Sequence, residues 1–425
     1  QDKEYVANTY GRFPVAIKEG KGALCKDFDD KEYIDFSSGI GVNSLGFCDE
    51  GWVSAVTKQL NTLQHISNLY YTEPCVNTAK ILCEKTGMKK VFFSNSGAES
   101  NEGAIKCARK YSFMKYGEGR NKVITLINSF HGRTVTTLAA TGQDVFHKHF
   151  FPFTEGFEYV PANDIDALKN ALDDSVCAVM MELIQGEGGV MPLDKEYVKQ
   201  VRALCDEKDI ILIVDEVHTG VGRTGKLFCF QNYDIMPDVV SVAKGIGGGL
   251  PLGCVMFSEK TETVLVAGDH ATTFGGNPVA TAGAEYILKT MDDAFLNEVA
   301  KKGEYMRDKI RNLVIAVVGL ALASCNSIYE YGDCPSFGEP HSVNFVMAID
   351  TPTASRAAWG EAEPTDEMGT SFENRIRPAS LRVGIYTTDN THIGDVEELM
   401  YWPISDDGSR YQFQGKVPAA LLTNA

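Results

Sequence analysis

Three stretches of this 425-residue chain carry side chains placed to do chemistry. In "PDVVSVAKGIGGGLPLG" (237–253), Lys244 follows Val239, Val240, Ser241, Val242 and Ala243, a run that reads as a sheet-interior strand, and bare glycines follow it. A lysine at a strand end is by default a solvated charge. Desolvated among other groups, its amine becomes a nucleophile able to form a Schiff base with an aldehyde. Asp215 closes the all-apolar "ILIVDE". A buried carboxylate is costly unless a cation meets it, and either the protonated ring nitrogen of a cofactor or an arginine in a structural pair would serve. In "FFSNSGAES" (92–100), Ser96, Gly97 and Ala98 lead from a strand into a helix. Exposed amides at a helix start suit a phosphate, and the same pattern is also that of a plain N-cap. Schiff-base lysine, ring-nitrogen acid and phosphate cradle are together the three anchors that pyridoxal 5'-phosphate requires.

For these residues to meet, the elements carrying them must converge. From about residue 88 to 260, short apolar runs alternate with helix-like segments. "KKVFF" (89–93), "KVITLI" (122–127), "CAVMMELI" (177–184), "DIILIVDE" (209–216) and "DVVSVA" (238–243) read as strands, and "LDKEYVKQVRALCDEKD" (193–209) as an amphipathic helix. Such alternation predicts an α/β architecture, a parallel sheet with helices on both faces. Ligands of these sheets sit beyond the carboxyl ends of the strands. That rim collects "SNSGAES", "NSFHGRT", "QGEGG", "DEVHTG" and Lys244. On it, Phe130 is able to cover a flat ring, and Arg133 has the fork that grips a carboxylate in bidentate fashion. "HATTFGGNPVA" (270–280) adds a turn bearing the hydroxyls of Thr272 and Thr273.

Other readings are excluded on chemical grounds. "GVGRTGK" from Gly220 matches a phosphate-loop spacing, but Leu227 stands where magnesium needs Ser or Thr, and the preceding strand ends in Asp-Glu. Fifty-seven acids against 40 bases give a formal charge of −17, which disfavours nucleic acid and anionic membranes as partners. Eleven cysteines are scattered without a CxxC pair or a zinc spacing, which suits reduced thiols in a cytoplasmic protein and predicts no metal site. The apolar "LVIAVVGLALA" (313–323) is too short to span a bilayer, and no signal-peptide pattern opens the chain.

From about Tyr10 to Ile310, the pieces "SNSGAESNEGAIK", "NSFHGRT", "QGEGGV", "DEVHTGVGRTG", "AKGIGGGLPLG" and "TTFGGNP" resemble, in order, the class III (ω-) aminotransferases of fold type I. Within them the acetylornithine enzymes match best. The resemblance implies a large domain (51–290) with a mainly parallel sheet covered by helices, and a smaller, discontinuous α+β domain (1–50 plus 291–425). It implies that Lys244 carries the coenzyme and moves the substrate proton, and that Asp215 holds the pyridine nitrogen protonated. Ser96, Gly97 and Ala98 would bind phosphate, Phe130 would stack on the ring, and Thr273 would reach the coenzyme phosphate of the second subunit of a homodimer. Arg133 resembles the arginine that grips the distal substrate carboxylate, and Glu187 the acid that helps the site switch substrates.

The implied reaction passes the amino group of N-acetylornithine to 2-oxoglutarate. Gly39 resembles the acetylornithine rather than the ornithine enzymes, which commonly carry a tyrosine there, though bacterial 4-aminobutyrate enzymes share the glycine; "VNSLG" (42–46) and "NLYYTEP" (68–74) point to the acetylornithine enzymes. The rivals are a 4-aminobutyrate or ornithine-type enzyme, or an impaired relative that keeps the coenzyme only. His218 stands where the family usually has a glutamine contacting the coenzyme's phenolic oxygen, and Leu183 where it has a proline. From about Asn312 the family's C-terminal pattern, with its arginine for the 2-oxoglutarate α-carboxylate, is not found. Arg375, Arg377 and Arg382 lack the matching context, so that role is transferred to none of them.

Overall fold

The computed structural model describes residues 1–326, with side chains to Arg311, and the strand segments His341–Ala348, Gly384–Tyr386, His392–Asp395, Glu397–Pro403 and Arg410–Val417. The chain divides into two compact units, Ala16–Glu304 and Gln1–Val15 with Tyr305–Ala425, so that residues 16–50 and 291–304 fall with the larger one. In the smaller unit, Arg410–Val417 pairs antiparallel with His341–Ala348 on one side and Glu397–Pro403 on the other. Arg375, Arg377 and Arg382 lie outside the described residues. No described helix is long and apolar enough to cross a membrane.

The larger unit opens with β1 (Ile17–Lys21), β2 (Leu24–Asp27) and β3 (Glu32–Ile34), a small antiparallel sheet. Next come β4 (Lys90–Ser94), β5 (Lys122–Leu126), β6 (Phe157–Val160) and β7 (Val176–Met181). A two-residue ribbon of β8 (Ile184–Gln185) and β9 (Met191–Pro192) follows, and then β10 (Ile211–Asp215), β11 (Val239–Val242) and β12 (Gly253–Phe257). The main sheet has seven strands in the order β4-β12-β11-β10-β7-β5-β6. All five strands expected from the sequence are present.

Every residue of β7, β10, β11 and β12 is buried, as expected of strands covered on both faces. The period of two sorts their side chains. Ile211 and Ile213 pack with Ala104, Ile105, Cys107 and Ala108 of the helix Gly97–Tyr116. Leu212 and Val214 join the opposite core, with Val198, Val201 and Cys205 of the helix Lys195–Glu207. Each such aliphatic side chain contributes about 1.5–3 kcal/mol by leaving water. A one-residue slip of β10 would reverse both faces at once.

Two strands of the main sheet were not legible as such. β6 is one of the two edge strands, partly exposed, and lacks a continuous apolar run. β12 runs antiparallel to both neighbours. The reason is chain length: residues 243–252 are too few for a helical crossover, which needs about a dozen. The chain therefore turns back, and Lys244 sits in that turn.

Candidate active site

Lys244 begins a short 3-10 turn just past β11, with φ at 52°. A left-handed backbone at a non-glycine residue costs roughly 1–3 kcal/mol and persists only where surroundings over-determine it. Here Ala243 O accepts from Ile246 N and Lys244 O from Gly247 N, at 3.3 and 3.1 Å. Two of the glycines that follow are points of close approach. A Cβ on Gly247 would meet Leu250 O at 2.0 Å, and one on Gly248 would meet Ile287 and Trp52 at 2.7 and 2.8 Å. They let the turn fold tightly against its own protein.

The Lys244 amine is half-buried and points at the loop after β10, where its Nζ lies 3.1 Å from His218 Nδ1. Burial pulls the lysine below its ordinary range, and the carboxylates of Asp215 and Glu182 partly offset that. The same burial, helped by the Lys244 charge, drops His218 to about 4. His218 is therefore neutral at physiological pH.

Asp215 is the last residue of β10 and only 2% exposed. Its Oδ2 accepts from Asn101 Nδ2 and from His131 Nδ1, both at 2.8 Å, and its Oδ1 accepts from Val217 N at 2.9 Å. Among the described residues no arginine pairs with it, which removes the structural-pair reading. Asn101 comes from the inner face of the helix Gly97–Tyr116, and His131 from the loop after β5. Neither contact has a local sign in the sequence, because both partners lie far from Asp215 along the chain.

The helix Gly97–Tyr116 starts at the same rim. Ser96 caps it, accepting from Glu99 N at 3.2 Å, while Glu99 Oε2 accepts from Asn95 N at 2.6 Å. The amides of Gly97 and Ala98 make no hydrogen bond among the described residues, so the positive end of a 20-residue helix offers two open donors. Gly97 lies so close to the loop after β10 that a Cβ would meet Val217 Cγ1 at 2.7 Å. Asn95 Nδ2 also donates to Thr272 Oγ1 at 2.8 Å, tying the 272–275 turn to the helix start. Thr273 is exposed on that turn.

Glu182 was not anticipated. It is 3% exposed just past β7, and its two oxygens accept from Phe130 N at 2.9 Å and Gly186 N at 3.4 Å. Burial first, and then the charge of Asp215, raises its carboxyl well above the usual range. Glu182 thus clamps the two loops that carry the remaining candidates. Phe130 is half-buried and edge-on to Phe146. The Arg133 guanidinium lies 4.2 Å from the Phe146 ring centre and 5.7 Å from that of Phe130. Glu187 Oε2 accepts from Gln143 Nε2 at 2.7 Å. Sequence pattern could have flagged Glu182, since it follows an apolar strand as Asp215 does.

These residues fit pyridoxal 5'-phosphate. Open helix amides match its phosphate, a half-buried amine its aldehyde, and a shielded carboxylate with no arginine partner among the described residues its ring nitrogen. Two buried atoms beside that carboxylate, His131 Nε2 and Asn101 Oδ1, have no protein partner.

Known proteins agree with this chemistry. An acetylornithine aminotransferase from Haemophilus ducreyi is 51% identical over 324 residues, covering 76% of this chain and 82% of that one. Among solved structures, an ornithine aminotransferase from Toxoplasma gondii, with PLP partly occupying its active site, superposes with a TM-score of 0.70 at 34% identity, covering 73% of this chain and 74% of that one. An acetylornithine aminotransferase from Elizabethkingia anophelis does so with a TM-score of 0.65 at 31% identity, covering 74% and 78%. The aminotransferase class-III family model matches residues 5–316, and the chain belongs to the class-III aminotransferases, whose cofactor is pyridoxal 5'-phosphate.

Proposed function

We propose that this enzyme transfers the terminal amino group of N-acetylornithine to 2-oxoglutarate, forming N-acetylglutamate 5-semialdehyde and glutamate. The observation that carries the chemistry is the half-buried Lys244 amine, 3.1 Å from a neutral His218 and within reach of the Asp215 charge. The likeness to the Haemophilus acetylornithine enzyme supports the donor. So does Gly39, whose φ of 62° is one that L side chains rarely adopt, so a tyrosine there would be strained.

Pyridoxal phosphate supplies an aldehyde for amines and a ring that accepts electrons. The protein's part follows from its own groups. The Gly97 and Ala98 amides, with Ser96 beside them, would hold the phosphate at the helix start. Asp215 would keep the ring nitrogen protonated. Phe130 would stack on the ring. Lys244 Nζ, depressed by burial and so more easily freed of its proton, takes the proton from the substrate carbon and returns it. Arg133 binds the distal carboxylate of the donor, and Glu187 assists the change between substrates. We also assign the working form to a homodimer in which the exposed Thr273 reaches the second active site. Tyr71 (99% exposed), Leu69 (86%) and Phe274 (61%) offer apolar surface near that turn. The free thiols support a cytoplasmic setting.

A half-reaction assay tests the proposal. N-acetylornithine should bleach the visible absorbance of the loaded enzyme and 2-oxoglutarate should restore it, with ornithine and 4-aminobutyrate slower. Bleaching without restoration would mark an impaired relative. Full activity in Lys244→Ala would end the proposal, and sedimentation as a monomer would remove the shared site.

A further inference from the structure

Transamination does not in itself call for an imidazole at position 218, yet the fold builds a seat for one. Gly186, on the turn between β8 and β9, lies against the ring so closely that a Cβ would meet Nδ1 at 2.6 Å and Cγ at 2.7 Å. Beyond the opposite edge, a Cβ on Gly41 would lie 3.8 Å from Cδ2 and 3.9 Å from Nε2, in ordinary contact. Between them the ring turns Nδ1 to Lys244 Nζ at 3.1 Å. A lysine ammonium has three donors and no acceptor, so Nδ1 must offer its lone pair and the ring proton must sit on Nε2.

The surrounding charges favour that state. Lys244, past β11, and Arg223, on the same loop as His218, oppose protonation of the imidazole as burial does, while Asp215 on β10 favours it; burial is the largest of these influences. Lys244 in turn faces Asp215, Glu182 and Glu187 as attractive charges and Arg223 as a repulsive one.

We propose that His218 is the resting partner of the Lys244 amine, accepting a hydrogen bond at Nδ1 whenever the lysine is not attached to cofactor. The role of the lysine rests on the transamination reading; its partner rests on geometry. A freed lysine is a flexible four-carbon stem, and without a fixed acceptor it would wander from the rim. His218 gives it one place to wait, close to where it must act next.

The test is nitrogen-15 NMR of histidine side chains in the full chain without cofactor, for wild type, Lys244→Met and Gly186→Ala. Wild type should hold the Nε2–H form between about pH 5 and 8, where ordinary histidines titrate. Removing the cation in Lys244→Met should raise the His218 midpoint by about one unit or more. Gly186→Ala should raise it too, with Lys244 still present, by pushing the ring off its seat. An Nδ1–H form in wild type, or equal midpoints in wild type and Lys244→Met, would overturn the pairing. Should Gly186→Ala fail to fold, Lys244→Met decides alone. The half-reaction assay on the same preparations separates the two readings. Transamination with an indifferent His218 removes the pairing only, and an intact pairing in a protein that moves no amine removes the proposed function only.

Discussion

His131 Nδ1 donates to Asp215 Oδ2 across 2.8 Å, with side chains 0% and 3% exposed. Because Asp215 is acceptor-only when ionised, the ring hydrogen must lie on Nδ1. A hydrogen bond to a charged, shielded group contributes about 1.5–3 kcal/mol. His131→Phe should therefore lower the unfolding free energy of the cofactor-free protein by about 2 kcal/mol. Pyridoxal phosphate should recover part of the loss by giving the carboxylate a new partner. Urea unfolding with and without cofactor measures both, and equal stability of variant and wild type would show that the contact contributes nothing.

Gly97 bears on cofactor affinity. In Gly97→Ala the new methyl would press on Val217 at 2.7 Å, an overpacking that costs roughly 1–3 kcal/mol and moves the helix start away from the loop. Cofactor titration should show affinity falling about tenfold, the equivalent of 1.4 kcal/mol. Val217→Ala added to it should restore most of that affinity. No recovery in the double variant would mean that Gly97 acts by some route other than this contact.

Glu182 is expected to govern loop order. Glu182→Ala leaves the Phe130 and Gly186 amides without their acceptor, at about 1–3 kcal/mol for each shielded group. Glu182→Gln keeps an acceptor and should lose less. Hydrogen exchange at residues 128–134 and 184–190 should quicken in the alanine variant ahead of the rest of the sheet. Uniform quickening would point to a general loss of stability instead.

Two buried groups set opposing pH trends. Glu216 accepts from Thr219 Oγ1 and Phe230 N, and burial raises it from 4.5 to about 7. The folded state therefore holds its proton more tightly than the unfolded one, and this stabilisation, present below pH 4.5, is lost as pH rises to about 7. His218 is lowered from 6.5 to about 4, so its stabilisation is present above pH 6.5 and lost as pH falls towards 4. Between about pH 4.5 and 6.5 the two slopes offset one another. Glu216→Gln should unmask the histidine, its stability relative to wild type growing by about 3 kcal/mol from pH 4.5 to 7. Parallel stability curves for variant and wild type across that range would refute the assignment.

Much of the site could be read from local pattern. Asp215 and Lys244 each follow a run of apolar residues, Ser96-Gly97-Ala98 begins a helix, and all of them fall at strand carboxyl ends. The partners that define their chemistry were hidden. Asn101 and His131 look unremarkable in sequence, since each matters through a neighbour brought close by the fold. β12 was hidden for a similar reason: apolar composition marks a buried strand but carries no direction.

Alternation of β-branched runs with amphipathic helices determined a two-face-covered sheet, because side-chain period alone decides which atoms leave water. Strand endings likewise determined which residues reach the rim. Only tertiary structure decided that the glycines after Lys244 accommodate Leu250, Trp52 and Ile287, that Asp215 meets a histidine and an amide rather than an arginine, and that His218 faces the lysine. Those outcomes depend on contacts of a few ångströms between segments tens of residues apart. Sequence spacing does not encode such distances, whereas close packing fixes them.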